Sequence, residues 1–241
     1  MRLHAGNSGG AATGLNIVML GPPGAGKGTQ AERLAQKRRL PRISTGDILR
    51  EAVQRGTPLG AVAALAMDAG KLVSDDVMIG IVQERLNRED ARKGFVLDGF
   101  PRTVEQAAAL DRMVDGRGPL VVLDVVVPED VLVRRLATRR ICGTCGTNAA
   151  VEWKKVCGKC GGSLVTRVDD GDDIVRERLK VYQRQSKPLV DYYSARGTLR
   201  SIDGNRPADV VTTAVNKAVD EATRNYLPPE GGSQKAGGVA Q

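Results

Sequence analysis

The stretch Gly21-Pro22-Pro23-Gly24-Ala25-Gly26-Lys27-Gly28-Thr29 decides the fold of this 241-residue chain. It follows an apolar run, Leu15 to Leu20, that predicts a buried strand, and it precedes a helical pattern that begins near Gln30. In a glycine-rich turn between a strand and a helix, backbone N–H groups converge on an anion and a lysine reaches the outer phosphates. The stretch therefore predicts a phosphate-binding loop, with a ligand-free glycine turn as the alternative.

The loop departs from the general G-x-x-x-x-G-K-[ST] pattern at one position. Gly28 stands where Ser or Thr is usual, and Thr29 follows one residue later. The hydroxyl that normally helps to hold Mg²⁺ is therefore absent from that position.

Composition narrows the classes of function. Aromatic residues make up only 3%, so the core must be aliphatic, and the net charge of +8 favours an anionic partner, either a nucleic acid or a small polyphosphate. The single histidine is His4, near a chain end, which excludes mechanisms that need a histidine base. No segment has the length and apolarity of a membrane span or a secretion signal, so we expect a cytoplasmic protein. We also expect residues 1–14 and 228–241 to be disordered.

Apolar runs alternate with helical patterns along the chain, which predicts a parallel sheet with helices on both faces and a ligand at the carboxyl ends of the strands. The predicted strands are Leu15–Leu20, Arg42–Ser44, Phe95–Asp98, Leu120–Val127 and Leu199–Asp203. The predicted helices are 30–37, 47–55, 76–87, 104–113, 129–139, 173–195 and 208–226. Two stretches do not fit the alternation and read as insertions around a site: 45–73 is helical without a strand, and 141–168 is rich in Gly and Cys.

Four blocks in order resemble the adenylate kinases, a family of nucleoside monophosphate kinases. They are Gly21 to Gln30, Ile43-Ser44-Thr45-Gly46-Asp47-Ile48-Leu49-Arg50, Leu97-Asp98-Gly99-Phe100-Pro101-Arg102-Thr103, and Arg167 with Asp169-Asp170 and then Arg178. The resemblance implies an α/β P-loop three-layer fold with a central parallel five-stranded sheet. It also implies a kinase core over 15–227, an acceptor-binding helical insertion at 44–73 and a zinc-bearing lid at 138–170.

The reaction implied by the resemblance is phosphoryl transfer from MgATP to AMP, giving two ADP. Such a transfer needs charge neutralisation, positioning and exclusion of water rather than covalent work by a side chain, which agrees with many arginines and no central histidine. The implied catalytic residues are Lys27, Arg102, Arg139, Arg167 and Arg178. Asp98 ends a predicted strand beside the loop and, with Asp47, is expected to act on Mg²⁺ through water.

The remaining binding residues are assigned by the same resemblance. The expected ATP site comprises Gly24, Ala25, Gly26, Lys27, Gly28, Thr29, Arg135, Arg139, Asn148, Ala149 and Arg206. The expected AMP site comprises Thr45, Arg50, Lys71, Leu72, Val73, Gly99, Phe100, Pro101, Arg102, Gln106, Arg167 and Arg178. Arg102 suits a bidentate grip on phosphate, and Gln106, one helical turn later, can present an amide to adenine. For Thr45 or Ser44, a helix N-cap is the competing interpretation.

All four cysteines lie in two C-x-x-C pairs, Cys142/Cys145 and Cys157/Cys160. Two such pairs supply the tetrahedral S₄ coordination that zinc prefers, so we expect one structural Zn²⁺; a redox dithiol and disulfides are the alternatives. The loop between the pairs, 146–156, is shorter than the resemblance leads one to expect. It also lacks the tyrosine that the family often places after the second cysteine, near the donor base.

Two other functions compete with this interpretation. One is a UMP or CMP kinase of the same fold. The other is a zinc-ribbon nucleic-acid binder with an attached ATPase, against which stand the placement of the cysteines inside the P-loop domain and the near absence of stacking aromatics. The expected partners are therefore ATP, AMP and ADP, with no nucleic acid and no membrane, and we expect a monomer.

Overall fold

The structure is a computed structural model that describes residues 14–150, 153–224 and 226. The expected disorder of residues 1–14 and 228–241 falls, apart from Gly14, outside the described residues. In the part of the chain that the structure describes, no helix has both the length and the apolar character needed to cross a membrane.

A five-stranded parallel sheet forms the centre of the fold. Its strands are β1 (Leu15–Leu20), β2 (Arg42–Ser44), β3 (Gly94–Asp98), β4 (Leu120–Val126) and β7 (Leu199–Asp203), in the spatial order β2-β3-β1-β4-β7. The predicted strands are confirmed, with bounds that differ by one residue at the start of β3 and at the end of β4. β1 lies in the middle, so the loop that follows it opens at the centre of the carboxyl edge, where ligands of such sheets bind.

Helices cover both faces of the sheet, which confirms the three-layer prediction. The helices are α1 (Lys27–Arg38), α2 (Thr45–Gln54), α3 (Pro58–Asp68), α4 (Asp75–Leu86), α5 (Val104–Val114), α6 (Glu129–Ala137), α7 (Asp172–Val181), α8 (Pro188–Ser194) and α9 (Ala208–Arg224). Alternate residues of β1 serve opposite faces: Ile17 and Met19 pack with α1, α6, α7 and α9, whereas Val18 and Leu20 pack with α4, α5 and α8.

The two irregular stretches are insertions around the carboxyl edge, as predicted. Residues 45–68 form α2 and α3, which pack on each other. In the second insertion, β5 (Arg140–Cys142) pairs antiparallel with β6 (Leu164–Thr166) as a separate two-stranded sheet. The described residues of these insertions add no strand to the central sheet.

The predicted continuous helix over 173–195 is wrong, because the structure divides it. α7 passes into a π-helical turn at Tyr182–Ser186, and α8 then starts at Pro188. Proline has no N–H to continue the ladder of hydrogen bonds and its ring crowds the preceding turn, so a helix tends to end or be distorted before it. The turn brings Ser186 close to the segment that follows β3, where its hydroxyl donates to the Arg102 carbonyl oxygen at 2.9 Å.

Candidate active site

The loop between β1 and α1 has the backbone conformation that an anion site needs. Gly24 and Gly26 have positive φ angles of 83° and 94°, which side chains rarely adopt. A Cβ at Gly24 would also lie only 3.2 Å from the Leu132 carbonyl oxygen. Because α1 starts at the end of the loop, its first N–H groups and the positive end of its dipole face the loop. The first turn contains no acidic residue that would compete with an anion there.

Lys27 is held inside this loop. Its ammonium group donates to the carbonyl oxygens of Gly21 at 2.7 Å and Pro22 at 2.8 Å. Burial, and after it the positive charges of Arg102 and other nearby arginines, lower the pKa of Lys27 to about 8 against the attraction of Asp98. An anion beside this amine would restore the balance of charge.

Three arginines that the sequence analysis assigned to catalysis, Arg139, Arg167 and Arg178, meet two aspartates. Arg139 and Arg178 both reach the Asp170 carboxylate, at 2.7 and 3.1 Å, and the Asp170 side chain is fully buried. Arg167 makes a bidentate pair with Asp169 at 2.8 and 2.7 Å. Burial opposes ionisation of Asp169, but the hydrogen bonds and charge of Arg167 hold its pKa well below the ordinary value. The aspartates thus fix these guanidinium groups at one place.

Arg102 lies among the same groups but has a different environment. Its Nε donates to the Gly99 carbonyl oxygen at 2.8 Å, and within the described residues it forms no ion pair with a carboxylate. Burial lowers the pKa of Arg102, opposed by the charge of Asp98, while Arg50 and Arg167 act in the same direction as burial. A partly buried cation without a close carboxylate is stabilised when an anion joins it, so Arg102 is a candidate for anion binding.

A cavity lies between the phosphate loop, the turn after β3, the chain after α3, and α7. Its lining includes Lys27, Gly70, Lys71, Leu72, Gly99, Pro101, Arg102 and Arg178. Val73 and Phe100 belong instead to the buried apolar cluster behind it. The cavity therefore joins Lys27 on the donor side to Arg102 on the expected acceptor side.

Ser44, and not Thr45, caps α2. The Ser44 hydroxyl accepts from the Asp47 N–H at 3.2 Å, which accounts for the capping signal in the sequence. Thr45 is buried, and a Cβ at position 99 would lie only 2.6 Å from its hydroxyl oxygen, which is too close. Gly99 also has a φ of 89°, so the close approach of Thr45 to the Gly99–Arg102 turn requires glycine there.

The two carboxylates expected to act on magnesium are brought together by an arginine that the sequence reasoning missed. Arg42 donates to Asp47 at 3.0 Å and to Asp98 at 3.4 Å, and Arg50 also pairs with Asp47. A Cβ at Gly28 would lie 3.3 Å from the Asp98 carboxylate, so the missing side chain leaves room there. The available signal was alternation along β2, which places Arg42 on the same face as Ser44.

The residues expected at the donor base lie at the outer end of the loop. Arg135 donates to the Gly204 carbonyl oxygen at 3.0 Å, and Arg206 is exposed and pairs with Asp203. On the lid, the Asn148 amide would lie 3.4 Å from a Cβ at Gly28, so it stands over the start of α1, and Ala149 packs beside the cysteines. These residues are spread around the loop and are not clustered like the arginines.

The four cysteines converge in the lid. Their sulfur atoms all lie within 4.8 Å of one another, with Cys142–Cys160 at 3.4 Å and Cys145–Cys157 at 3.7 Å. The cysteines are free, and these distances exceed the roughly 2 Å of a disulfide. Tetrahedral zinc with Zn–S bonds of ~2.3 Å requires sulfurs about 3.8 Å apart, so the donor set fits the ion. The short 146–156 loop does not prevent the two pairs from meeting.

Known proteins are similar to this chain over most of its length. The family model described as adenylate kinase matches residues 19–198. A protein named adenylate kinase from Moorella thermoacetica is 49% identical over 212 residues, covering 85% of this chain and 98% of the relative. Proteins of the same name from Archaeoglobus fulgidus (47% identical, 86% of this chain, 99% of the relative) and Acidothermus cellulolyticus (48%, 87% and 100%) are similarly close.

The family model covers far more than half of the sequence, and these relatives match it over nearly their whole length. Residues from three of the four blocks that carried the resemblance, the first, third and fourth, line one cavity. This chain belongs to the adenylate kinase family.

Proposed function

We propose that this protein transfers the terminal phosphoryl group of MgATP to AMP, reversibly, to give two ADP. The observation that carries the proposal is one cavity with Lys27 on its donor side and Arg102 on its acceptor side. Neither cation has a carboxylate partner among the described residues. A site that binds one anion would need only one of them, whereas a transfer between two phosphates uses both.

The donor phosphates are held by the loop. The N–H groups of Gly24–Thr29 and the N-terminus of α1 bind the outer phosphates. Lys27 leaves the carbonyl oxygens of Gly21 and Pro22 and follows the charge as it moves to the acceptor. Arg135, Arg206, Asn148 and Ala149 contribute to the outer, base end of this site.

The acceptor is held on the opposite wall. Arg102, whose Nε donates to the Gly99 carbonyl oxygen, makes a bidentate contact with the AMP phosphate, and Arg50 approaches that phosphate from α2. Thr45, Lys71, Leu72 and Gln106 surround the nucleoside. This arrangement lines up the attacking oxygen with the donor phosphorus, and such positioning supplies much of the rate of phosphoryl transfer.

The remaining arginines stabilise the charge that develops between the two nucleotides. Asp169 and Asp170 hold Arg139, Arg167 and Arg178 near this point through ion pairs. When nucleotides bind, these arginines replace some of those hydrogen bonds by hydrogen bonds to phosphate oxygens. We propose that the insertions at 44–73 and 138–170 close over acceptor and donor and keep water, a competing acceptor, away from the phosphoryl group.

Both metals have residues that suit them. Asp47 and Asp98 are oxygen ligands at the loop, and they can hold, through water, a Mg²⁺ carried by the nucleotide, which neutralises phosphate charge when bound. Cys142, Cys145, Cys157 and Cys160 would hold one Zn²⁺. Such an ion would stabilise the lid, because the lid has a small apolar core. Among the described residues, the buried members of that core are Cys142, Cys157 and Leu164.

We propose that the enzyme acts in the cytoplasm as a monomer on ATP, AMP and ADP, without nucleic acid.

The roles of the two cations can be tested by substitution. Lys27→Met and Arg102→Ala should each lower turnover by a hundredfold or more and leave the melting temperature within a few degrees of the parent's. Arg134→Ala is the matched control, because Arg134 is exposed and, among the residues that the structure describes, its one ion pair is with Asp130 on its own helix. Turnover within fivefold of the parent in either active-site variant would contradict the proposal.

A further inference from the structure

We infer that Lys159 and Glu32 form a latch that holds the lid (138–170) on α1 and thereby strengthens the binding of the donor nucleotide. The inference rests on the proposed function, because it assigns the lid to the donor side of that site. Lys159 and Glu32 are positioning residues in this account, since they act on the nucleotide by keeping the lid over it.

The latch is an ion pair between parts that are far apart in the chain. The Lys159 ammonium group lies 3.2 Å from Glu32 Oε1, across 127 positions of sequence. Lys159 lies within the second cysteine pair of the lid, whereas Glu32 lies in α1. The lid meets the same helix one turn earlier, where the Asn148 amide nitrogen would lie 3.4 Å from a Cβ at Gly28. The lid therefore rests on α1 at two neighbouring points.

Both partners are oriented by their own part of the molecule. The Lys159 backbone N–H donates to Cys157 Sγ at 3.4 Å, which fixes the turn that carries the lysine. Glu32 Oε1 accepts from Gln36 Nε2 at 2.9 Å, and Glu32 Oε2 lies 3.9 Å from Arg42 Nη1. Gln36 and Arg42 lie outside the lid, so they orient the carboxylate whether or not the lid covers it. This reduces the entropy that the ion pair loses on forming, which is a main reason why most exposed pairs contribute little.

The exposure of the two side chains sets the strength of the latch. Lys159 and Glu32 are 51% and 37% exposed, so water and salt weaken their attraction. A pair of this kind shifts an equilibrium between an open and a closed lid by about twofold to fivefold. A ligand binds more tightly when its binding conformation is more populated, so the latch should strengthen donor binding by that factor and leave acceptor binding unchanged.

The test is the dissociation constant of a non-hydrolysable ATP analogue with Mg²⁺, measured by calorimetry at low ionic strength. Lys159→Met and Glu32→Gln should each raise this constant by about twofold to fivefold. The double variant should bind no more weakly than either single variant, because the same pair is lost in all three. Lys159→Arg keeps the charge and should stay near the parent. Lys154→Met is the matched control, because it removes the same charge from an exposed lid lysine that forms no ion pair within the described residues.

Glu32→Gln distinguishes the latch from a general effect of charge. If only the overall charge around the phosphates mattered, removal of a carboxylate would strengthen the binding of an anionic nucleotide, whereas loss of the latch weakens it. The losses should also disappear at about 0.5 M salt, where charges are screened over about 4 Å.

The outcomes separate the latch from the proposed function. Unchanged or tighter binding in Glu32→Gln, additive losses in the double variant, or an equal rise in the KM for AMP in Lys159→Met would overturn the latch and leave the proposed function standing. If Lys159→Met lowers the melting temperature, Glu32→Gln provides the comparison, since Glu32 lies outside the lid.

The contact can also be tested without nucleotide. A carbodiimide should join the Glu32 carboxylate to the Lys159 amine in an amide bond that peptide mapping detects, and absence of this cross-link would also overturn the latch. Absence of AMP phosphorylation in the parent would instead overturn the proposed function.

Discussion

Replacing Asp170 by asparagine should lower the stability of the nucleotide-free protein. It should also increase the rise in melting temperature that nucleotide causes. The Asp170 side chain is fully buried and receives Arg139 and Arg178. Asparagine has nearly the same shape and still accepts one hydrogen bond, so the main loss is the negative charge between two guanidinium groups. Asp169 remains as a counter-charge for Arg178.

The size of the effect follows from the burial of this pair. Removing one partner of a buried ion pair typically costs about 3–5 kcal/mol. The retained acceptor places Asp170→Asn near the lower end, so we expect a loss of about 3 kcal/mol in the free energy of unfolding. In a chain of this length that corresponds to a fall of roughly 6–12 °C in melting temperature.

The assay is thermal unfolding with and without saturating ATP. Phosphate oxygens can replace the missing charge, so ATP should raise the melting temperature of Asp170→Asn by more than it raises that of the parent, because a ligand stabilises the state that it binds. The control is Asp172→Asn in the exposed first turn of α7, which should lose less than about 1 kcal/mol, as expected for a charge at a helix N-terminus.

Two results would refute this reasoning. A melting temperature within about 2 °C of the parent's would show that Asp170 does not neutralise the arginines. An equal rise with ATP in both proteins would show that these arginines do not meet the phosphates.

Three further predictions concern the loop, the lid and the carboxylates. Because burial lowers the pKa of Lys27 to about 8, kcat/KM for MgATP should fall roughly tenfold per pH unit above that value, and Lys27→Arg should move this limb to higher pH; a flat profile to pH 10 would count against the assignment. Cys157→Ser should lose about one zinc per chain in elemental analysis and lower the melting temperature while leaving measurable transfer at low temperature; a parent free of zinc and no more stable with it would contradict the zinc site. Arg42→Gln should lower the Mg²⁺ concentration for half-maximal activity by roughly twofold to fivefold, because Arg42 competes for Asp47 and Asp98; an unchanged requirement would show that it does not.

The strands of the sheet could be predicted because their apolar, β-branched sequences match the buried positions that they occupy in the fold. The run Leu120 to Val127 is β-branched and nearly all apolar, as a strand covered on both faces must be, and β1 was marked by the loop after it. The break between α7 and α8 was not predicted, since the helical periodicity runs past Pro188 and outweighed it. The proline and the packing of Ser186 on Arg102 decide that local geometry.

Residues that carry a motif could be assigned from the sequence, whereas residues that act through a tertiary contact could not. Lys27 and Arg102 lie in recognisable blocks, and the structure places both on the cavity. Arg42 and Glu32 have no motif of their own. Their partners, Asp98 and Lys159, lie 56 and 127 positions away, so only the fold reveals their contacts.

The most direct test of the central claim is ADP formation from MgATP with AMP, IMP, UMP and CMP as alternative acceptors, with and without single-stranded nucleic acid. The account predicts that AMP gives the highest kcat/KM, that two ADP appear for each AMP consumed, and that nucleic acid changes neither result. A preference for UMP or CMP, or ATP hydrolysis that depends on nucleic acid and not on AMP, would contradict it.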